Sequence, residues 1–88
     1  MPKRGWVAIT IDILEATIVP EEKTRIMKGA KLNSERSESY FSDLLKKGFI
    51  REAKGPDGTP VYRVSEKGEV LLEALKKSRD LLSGNINS

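Results

Sequence analysis

The run from Leu32 to Gly68 constrains this chain most, because three kinds of local order follow one another within it. Ser37, Tyr40, Phe41, Leu44 and Leu45 fall at i, i+3, i+4, i+7 and i+8, the spacing of one apolar helix face. Asn33 is a natural N-cap for that helix and Gly48 a natural C-terminal cap, while Glu35, Arg36, Glu38, Ser39, Ser42, Asp43 and Lys46 are left outside. Two short runs, Phe49 to Glu52 and Val61 to Val64, have strand character. They flank Gly55-Pro56-Asp57-Gly58, which fits a type I turn with proline second and glycine fourth. Ser65 then caps a last helix on which Leu71, Leu75, Ser78 and Leu82 form a stripe flanked by Leu72, Ala74 and Leu81. That helix is expected to end near Ser83, with 84–88 as a polar, frayed tail.

Upstream, Val7 to Ile13 alternates β-branched and smaller or polar residues and, taken alone, reads as a strand. A wider window favours a helix: Val7, Ile11, Leu14 and Ile18 share one stripe and Trp6, Ile9 and Ile13 a second. A helix apolar on two faces is expected to pack on its own core and on a second subunit. Pro20 stops it, and Glu21 and Glu22 suit the first turn of a second helix, where they favour the helix dipole. Gly29 is expected to close that helix in the left-handed conformation, with Ala30, Lys31 and Leu32 as a short turn and Leu32 pointing inward. The fold class is mainly α with a small β-hairpin, in one domain over residues 1–83.

With 88 residues the chain supports one modest core, near the size where burial against a partner subunit helps. It has no cysteine and no histidine, which removes thiol chemistry, imidazole or thiolate metal ligands and the usual base for an activated serine. The carboxylates are scattered or paired with lysines, and Lys54-Gly55-Pro56-Asp57-Gly58 is a turn, not a phosphate-cradling loop. No enzyme, no cofactor and no metal is therefore expected, and no small-molecule effector is evident. Thr10, Asp12 and Glu15 break the N-terminal apolar stretch, so neither a signal peptide nor a membrane span is expected and a cytoplasmic protein is the default. Net charge is +3, a mild basic excess that suits a polyanionic partner. Residues 1–34 carry six basic and four acidic groups and residues 49–64 three against two, while 35–48 and 65–88 are balanced.

The order of elements, together with Ile13-Leu14, Thr24-Arg25-Ile26-Met27, Leu32-Asn33, Tyr40, Leu44-Leu45, Lys47-Gly48-Phe49-Ile50, Tyr62-Arg63-Val64 and Ser65-Glu66-Lys67-Gly68, resembles the small archaeal winged helix-turn-helix DNA-binding proteins and predicted transcriptional regulators. The resemblance covers roughly residues 6 to 82. It implies double-stranded DNA as partner, a nucleoid-associated location, helix three (about 33–47) in the major groove, the hairpin (about 49–64) as a wing on the backbone, and terminal helices that pair two subunits. In several relatives the last helix extends into a long antiparallel coiled coil, whereas here it stops after about five turns.

Ser34, Glu35, Arg36, Glu38 and Ser39 occupy the first turns of helix three; Arg36 can bond guanine O6 and N7 together, and Glu35 can accept from cytosine N4. Lys23 and Thr24 begin helix two, where amides and a hydroxyl can anchor a phosphate, with Arg25 and Lys28 as further candidates. Arg51, Lys54 and Arg63 form a small basic set on the hairpin, and Lys3 and Arg4 a short basic start. Trp6, Leu71, Leu75 and Leu82 are the candidates for a homodimer interface, the leucine stripe being expected to serve the core in its first half and the dimer in its second. Each has a plain alternative, a solvated charge or a core side chain. Helix three is the sharpest case, because its acids balance its bases and a carboxylate beside phosphates is repelled. Sequence-selective regulation is therefore favoured over non-specific coating of DNA by an architectural protein, and a protein-interaction module on the same fold remains the rival.

Overall fold

The computed structural model describes residues 5–30 and 34–82, the side chains of 30, 34–37 and 82 excepted. Its elements are α1 (Trp6–Ala16), α2 (Lys23–Ala30), α3 (Ser34–Lys46), β1 (Ile50–Lys54), β2 (Pro60–Val64) and α4 (Glu66–Leu82). The expected cap Asn33, the inward Leu32, the basic start Lys3-Arg4 and the 84–88 tail lie outside the described residues.

Helix α1 is the hub. Ile9, Ile11, Ile13 and Leu14 are all buried, together with Thr10, and join Ile26, Phe41, Leu44, Ile50, Val64, Leu72 and Leu75 in one core. Most of both apolar stripes of α1 is thus covered inside one subunit, by α2 and α4, while Trp6 at the start of the second stripe stays exposed. The helix also ends earlier than its stripe suggested. Thr17 is fully buried and its hydroxyl donates back to the carbonyls of Ile13 and Leu14, at 3.2 and 2.9 Å, closing the last turn. Ile18, expected on the stripe, is exposed.

Beyond Thr17 the chain runs along β2. Thr17 O accepts from Val64 N at 2.8 Å, and Glu21 exchanges both backbone bonds with Tyr62, N to O at 3.1 Å and O to N at 2.8 Å. Glu21 is therefore not in the first turn of α2; its backbone satisfies the open edge of the hairpin instead. Glu22 precedes the helix, its carbonyl accepting from Ile26 N. Helix α2 continues through Gly29, whose φ is not positive, so Gly29 is a helical residue and not a left-handed cap.

The α3 to β1 junction follows the sequence. Gly48 has φ +81°, Phe49 N donates to Leu44 O at 2.9 Å and Gly48 N to Leu45 O at 3.1 Å, the paired bonds of a Schellman ending. The strands pair antiparallel, Ile50 opposite Val64 and Lys54 opposite Pro60. At the tip Gly58 N donates to Gly55 O at 3.0 Å, as a four-residue turn requires, and Gly58 has φ +87°. Asp57 Oδ1 accepts from Thr59 N at 3.1 Å, and that amide holds the Asp57 carboxyl below its ordinary value of 3.8.

The Ser65-Glu66-Lys67-Gly68 run docks α4 onto this junction. Ser65 Oγ accepts from Gly68 N at 3.1 Å as an N-cap and donates to Gly48 O at 2.6 Å, while Ser65 N donates to Phe49 O at 2.9 Å. Lys67 Nζ donates to Lys47 O at 2.7 Å and lies 4.8 Å from the centroid of the Phe49 ring. Replacing Ser65 with alanine removes the cap and leaves Gly68 N without its acceptor, so a loss of about 1–2 kcal/mol is expected. Urea denaturation measures it, and faster hydrogen exchange at Gly68 N would locate the loss at the start of α4.

Candidate nucleic-acid interface

Helix α3 and the hairpin are fixed to each other by Phe41. Its buried ring meets Tyr62 of β2 edge to face, centroids 4.8 Å apart at 84°, and Lys23 Nζ of α2 lies 5.4 Å from its centroid. One side chain thus locks α2, α3 and β2 into a unit. The inward residues Phe41 and Leu44 leave Glu38, Ser39, Ser42, Asp43 and Lys46 exposed along α3.

Ser34, Glu35 and Arg36 occupy the first turn of α3, and their side chains lie outside those described. Ser39 is exposed on the second turn. Of the α2 candidates, Thr24, Arg25 and Lys28 are exposed, Arg25 within 4.0 Å of Glu21. Lys23 differs: its ammonium is bound to both carboxylate oxygens of Glu38, 2.8 Å from Oε1 and 2.7 Å from Oε2.

On the hairpin the structure brings together two of the three basic residues. Arg51 and Arg63 are directly opposite in register and therefore share a face, whereas Lys54 belongs to the other face with Glu52 and Tyr62. Like charges directly opposite cost a few tenths of a kcal/mol, so the arginine pair does nothing for hairpin stability. Both arginines are exposed and line an open groove of about 460 Å³ with Ser65, Glu66 and Glu69 at the start of α4.

The dimer candidates separate as well. Leu75 is buried inside the subunit and Leu71 half-buried, because that stripe of α4 faces α1. Trp6 is 57 % exposed, and the Leu82 side chain lies outside those described. The outward apolar residues of α4 are Val70, 72 % exposed, and Leu81, 58 % exposed. Sequence reasoning missed this face because the leucines drew the eye to the buried one. The Lys23–Glu38 and Glu21–Tyr62 pairs were also missed, and no local pattern announces contacts 15 and 41 positions apart. Lys67 was visible in its motif, but only the fold shows its target. Among the described residues no group of three or more acidic side chains is placed to hold a metal, and no helix is long and apolar enough to cross a membrane.

A helical trio whose third helix is locked to a capped hairpin, with a closing helix clipped to their junction, defines a winged helix-turn-helix protein. A family model described as winged helix-turn-helix matches residues 3–83, and the chain belongs to that family. It is 37 % identical over 76 residues to an uncharacterized protein of Methanocaldococcus jannaschii, covering 85 % of this chain and 34 % of that one, so it spans about a third of that relative's length. Among solved structures it is similar to Sso10a-2, a DNA-binding protein from Sulfolobus solfataricus, with a TM-score of 0.82 and 25 % identity, over 96 % of this chain and 87 % of that one.

Proposed function

We propose that this protein binds double-stranded DNA as a homodimeric, sequence-selective regulator, with α3 in the major groove of each half-site and the hairpin on the backbone. The observation that carries the reading is the likeness to the Sulfolobus DNA-binding protein over nearly the whole chain. The lock between α3 and β2 supports it, since a reading helix and a wing must keep a fixed spacing to touch one duplex together. Arg36 is assigned to base reading, Ser34, Glu35 and Ser39 to its flanks, and Thr24, Arg51, Lys54 and Arg63 to phosphates.

Helix α4 supports the pairing of two copies. Val70, Ala74 and Leu81 are exposed, Glu66, Glu69 and Glu73 outnumber Lys67 in its first half, and Lys76, Lys77 and Arg79 outnumber Asp80 in its second. Two such helices packed antiparallel set acids against bases and cover the outward apolar residues. Beside Val70, a groove of about 570 Å³ floored by Ile18 and Leu72 offers further surface to cover.

The test is selection from random duplexes at near-physiological salt, with sizing of the free protein. Enrichment of a motif and a particle of two chains are expected; no retention of any duplex would sink the reading, and a monomer would remove its dimeric part. On an enriched site Arg36→Ala is expected to cost about 1–3 kcal/mol and to relax base preference. Lys54→Ala is expected to weaken all duplexes alike and lower the salt slope by about one. Equal losses on enriched and random DNA for Arg36→Ala would count against base reading.

A further inference from the structure

Glu38 sits in the second turn of α3, where an unpaired carboxylate would be repelled by a phosphate backbone. The fold answers this inside the subunit. Lys23, the first residue of α2, places its ammonium 2.8 Å from Oε1 and 2.7 Å from Oε2 of Glu38, spanning both oxygens. The same ammonium lies 5.4 Å from the centroid of the Phe41 ring, and the Lys23 side chain is only 38 % exposed against 56 % for Glu38. A lysine that moved to a phosphate would uncover the carboxylate it now neutralises. An exposed ion pair adds little to stability, about 0–1 kcal/mol, so holding the fold together does not account for this one. Its larger consequence comes when a polyanion approaches within a Debye length, about 8 Å at physiological salt.

Resting on the DNA-binding reading above, we propose that Lys23 is the internal counter-ion of Glu38. It is a positioning residue that makes a carboxylate tolerable on the DNA-facing helix, and it is not a phosphate ligand. The chemistry separates the two roles. A phosphate ligand releases a counter-ion from DNA and contributes to the salt slope, whereas a neutral pair contributes nothing to it.

The experiment measures binding to a duplex enriched by the wild-type protein, over a salt series, for K23M, E38Q and K23M/E38Q, with far-UV circular dichroism to verify folding. Methionine keeps an unbranched apolar stem against Phe41. The K23M variant is expected to bind roughly three- to tenfold more weakly, because Glu38 is left as a bare charge. The double variant is expected to return to within about twofold of wild type with an unchanged salt slope. A double variant as weak as K23M, with a slope lower by about one, would make Lys23 a phosphate ligand and overturn the proposal. K23M binding as tightly as wild type would overturn it too. Should K23M not fold, the charge swap K23E/E38K decides: binding like wild type supports the counter-ion role, and a tenfold loss, or failure of the swap to fold, overturns it. Wild-type protein that retains no duplex at all would instead remove the DNA-binding reading, an outcome distinct from a failed rescue.

Discussion

Replacing Phe41 with alanine is expected to lower the free energy of unfolding by about 3–5 kcal/mol, the range for a buried phenylalanine cut to a methyl group. Phe41 is only 2 % exposed and belongs to the same buried core as Ile26 and Leu44, with Tyr62 packed against it. The edge-to-face contact with Tyr62 adds about 0.5–1.5 kcal/mol beyond the area buried. A domain of this size has about 5–15 kcal/mol in all, so the variant should sit close to its unfolding transition at room temperature. Urea titration followed by Trp6 fluorescence or circular dichroism measures the change. Phe41→Leu, which retains most of the volume, should lose clearly less. A loss below about 1 kcal/mol for Phe41→Ala would mean that α3 and the hairpin are not held together through this ring. Duplex binding should fall further than the folded fraction does, because α3 and β2 would then be free to change their spacing.

Gly68→Ala is the second large effect, and its sign runs against helix propensity. Alanine in a helix is ordinarily favoured over glycine by about 1 kcal/mol. At Gly68 an added Cβ would collide with the carbonyl oxygen of Phe49, would lie 2.6 Å from Val64 Cγ2 and would lie 3.0 Å from the Phe49 carbonyl carbon. Two of those atoms are backbone, and Phe49 O already accepts from Ser65 N, so it cannot move aside without losing that bond. A net destabilisation of about 2 kcal/mol is expected, the upper end of overpacking costs, about 3 kcal/mol, less the propensity gain. Gly29→Ala is the matched control. There the new Cβ meets only Ala16 Cβ at 3.9 Å, in a helical backbone, so a gain of about 0.5–1 kcal/mol is expected. The two glycines exchanging sign under one substitution, read from paired denaturation midpoints, would establish that α4 is seated by close approach at Gly68; equal effects would refute it.

Much of the architecture was legible because it is written locally. Tyr40, Phe41, Leu44 and Leu45 fixed the inward face of α3, Gly48 its end, Gly55 to Gly58 the hairpin tip, and Ser65 the start of α4; each is a choice that a few neighbouring residues make among themselves. The errors share a cause. Ile18 continued a helical stripe, but a buried Thr17 hydroxyl closed α1 first. Glu21 looked like a helix-starting acid, but the unpaired edge at Tyr62 took its backbone. Leu75 looked available to a second subunit, but the rotation of α4 against α1 buried it and turned Val70 and Leu81 outward.

The candidate interface divides in the same way. Which residues are charged, and that α3 carries three acids against two bases, is complete in the sequence. Which charges meet is not, because Lys23 and Glu38 are 15 positions apart and Arg51 and Arg63 are partners only through a strand register. Capping, periodicity and turn chemistry act over a few residues, and they suffice for the order of helices and hairpin, the end of α3, the hairpin tip and the start of α4. Which apolar face is left outside and which carboxylate is neutralised are settled by packing alone. Burial and ion pairing depend on distances through space, and those are set when the elements pack.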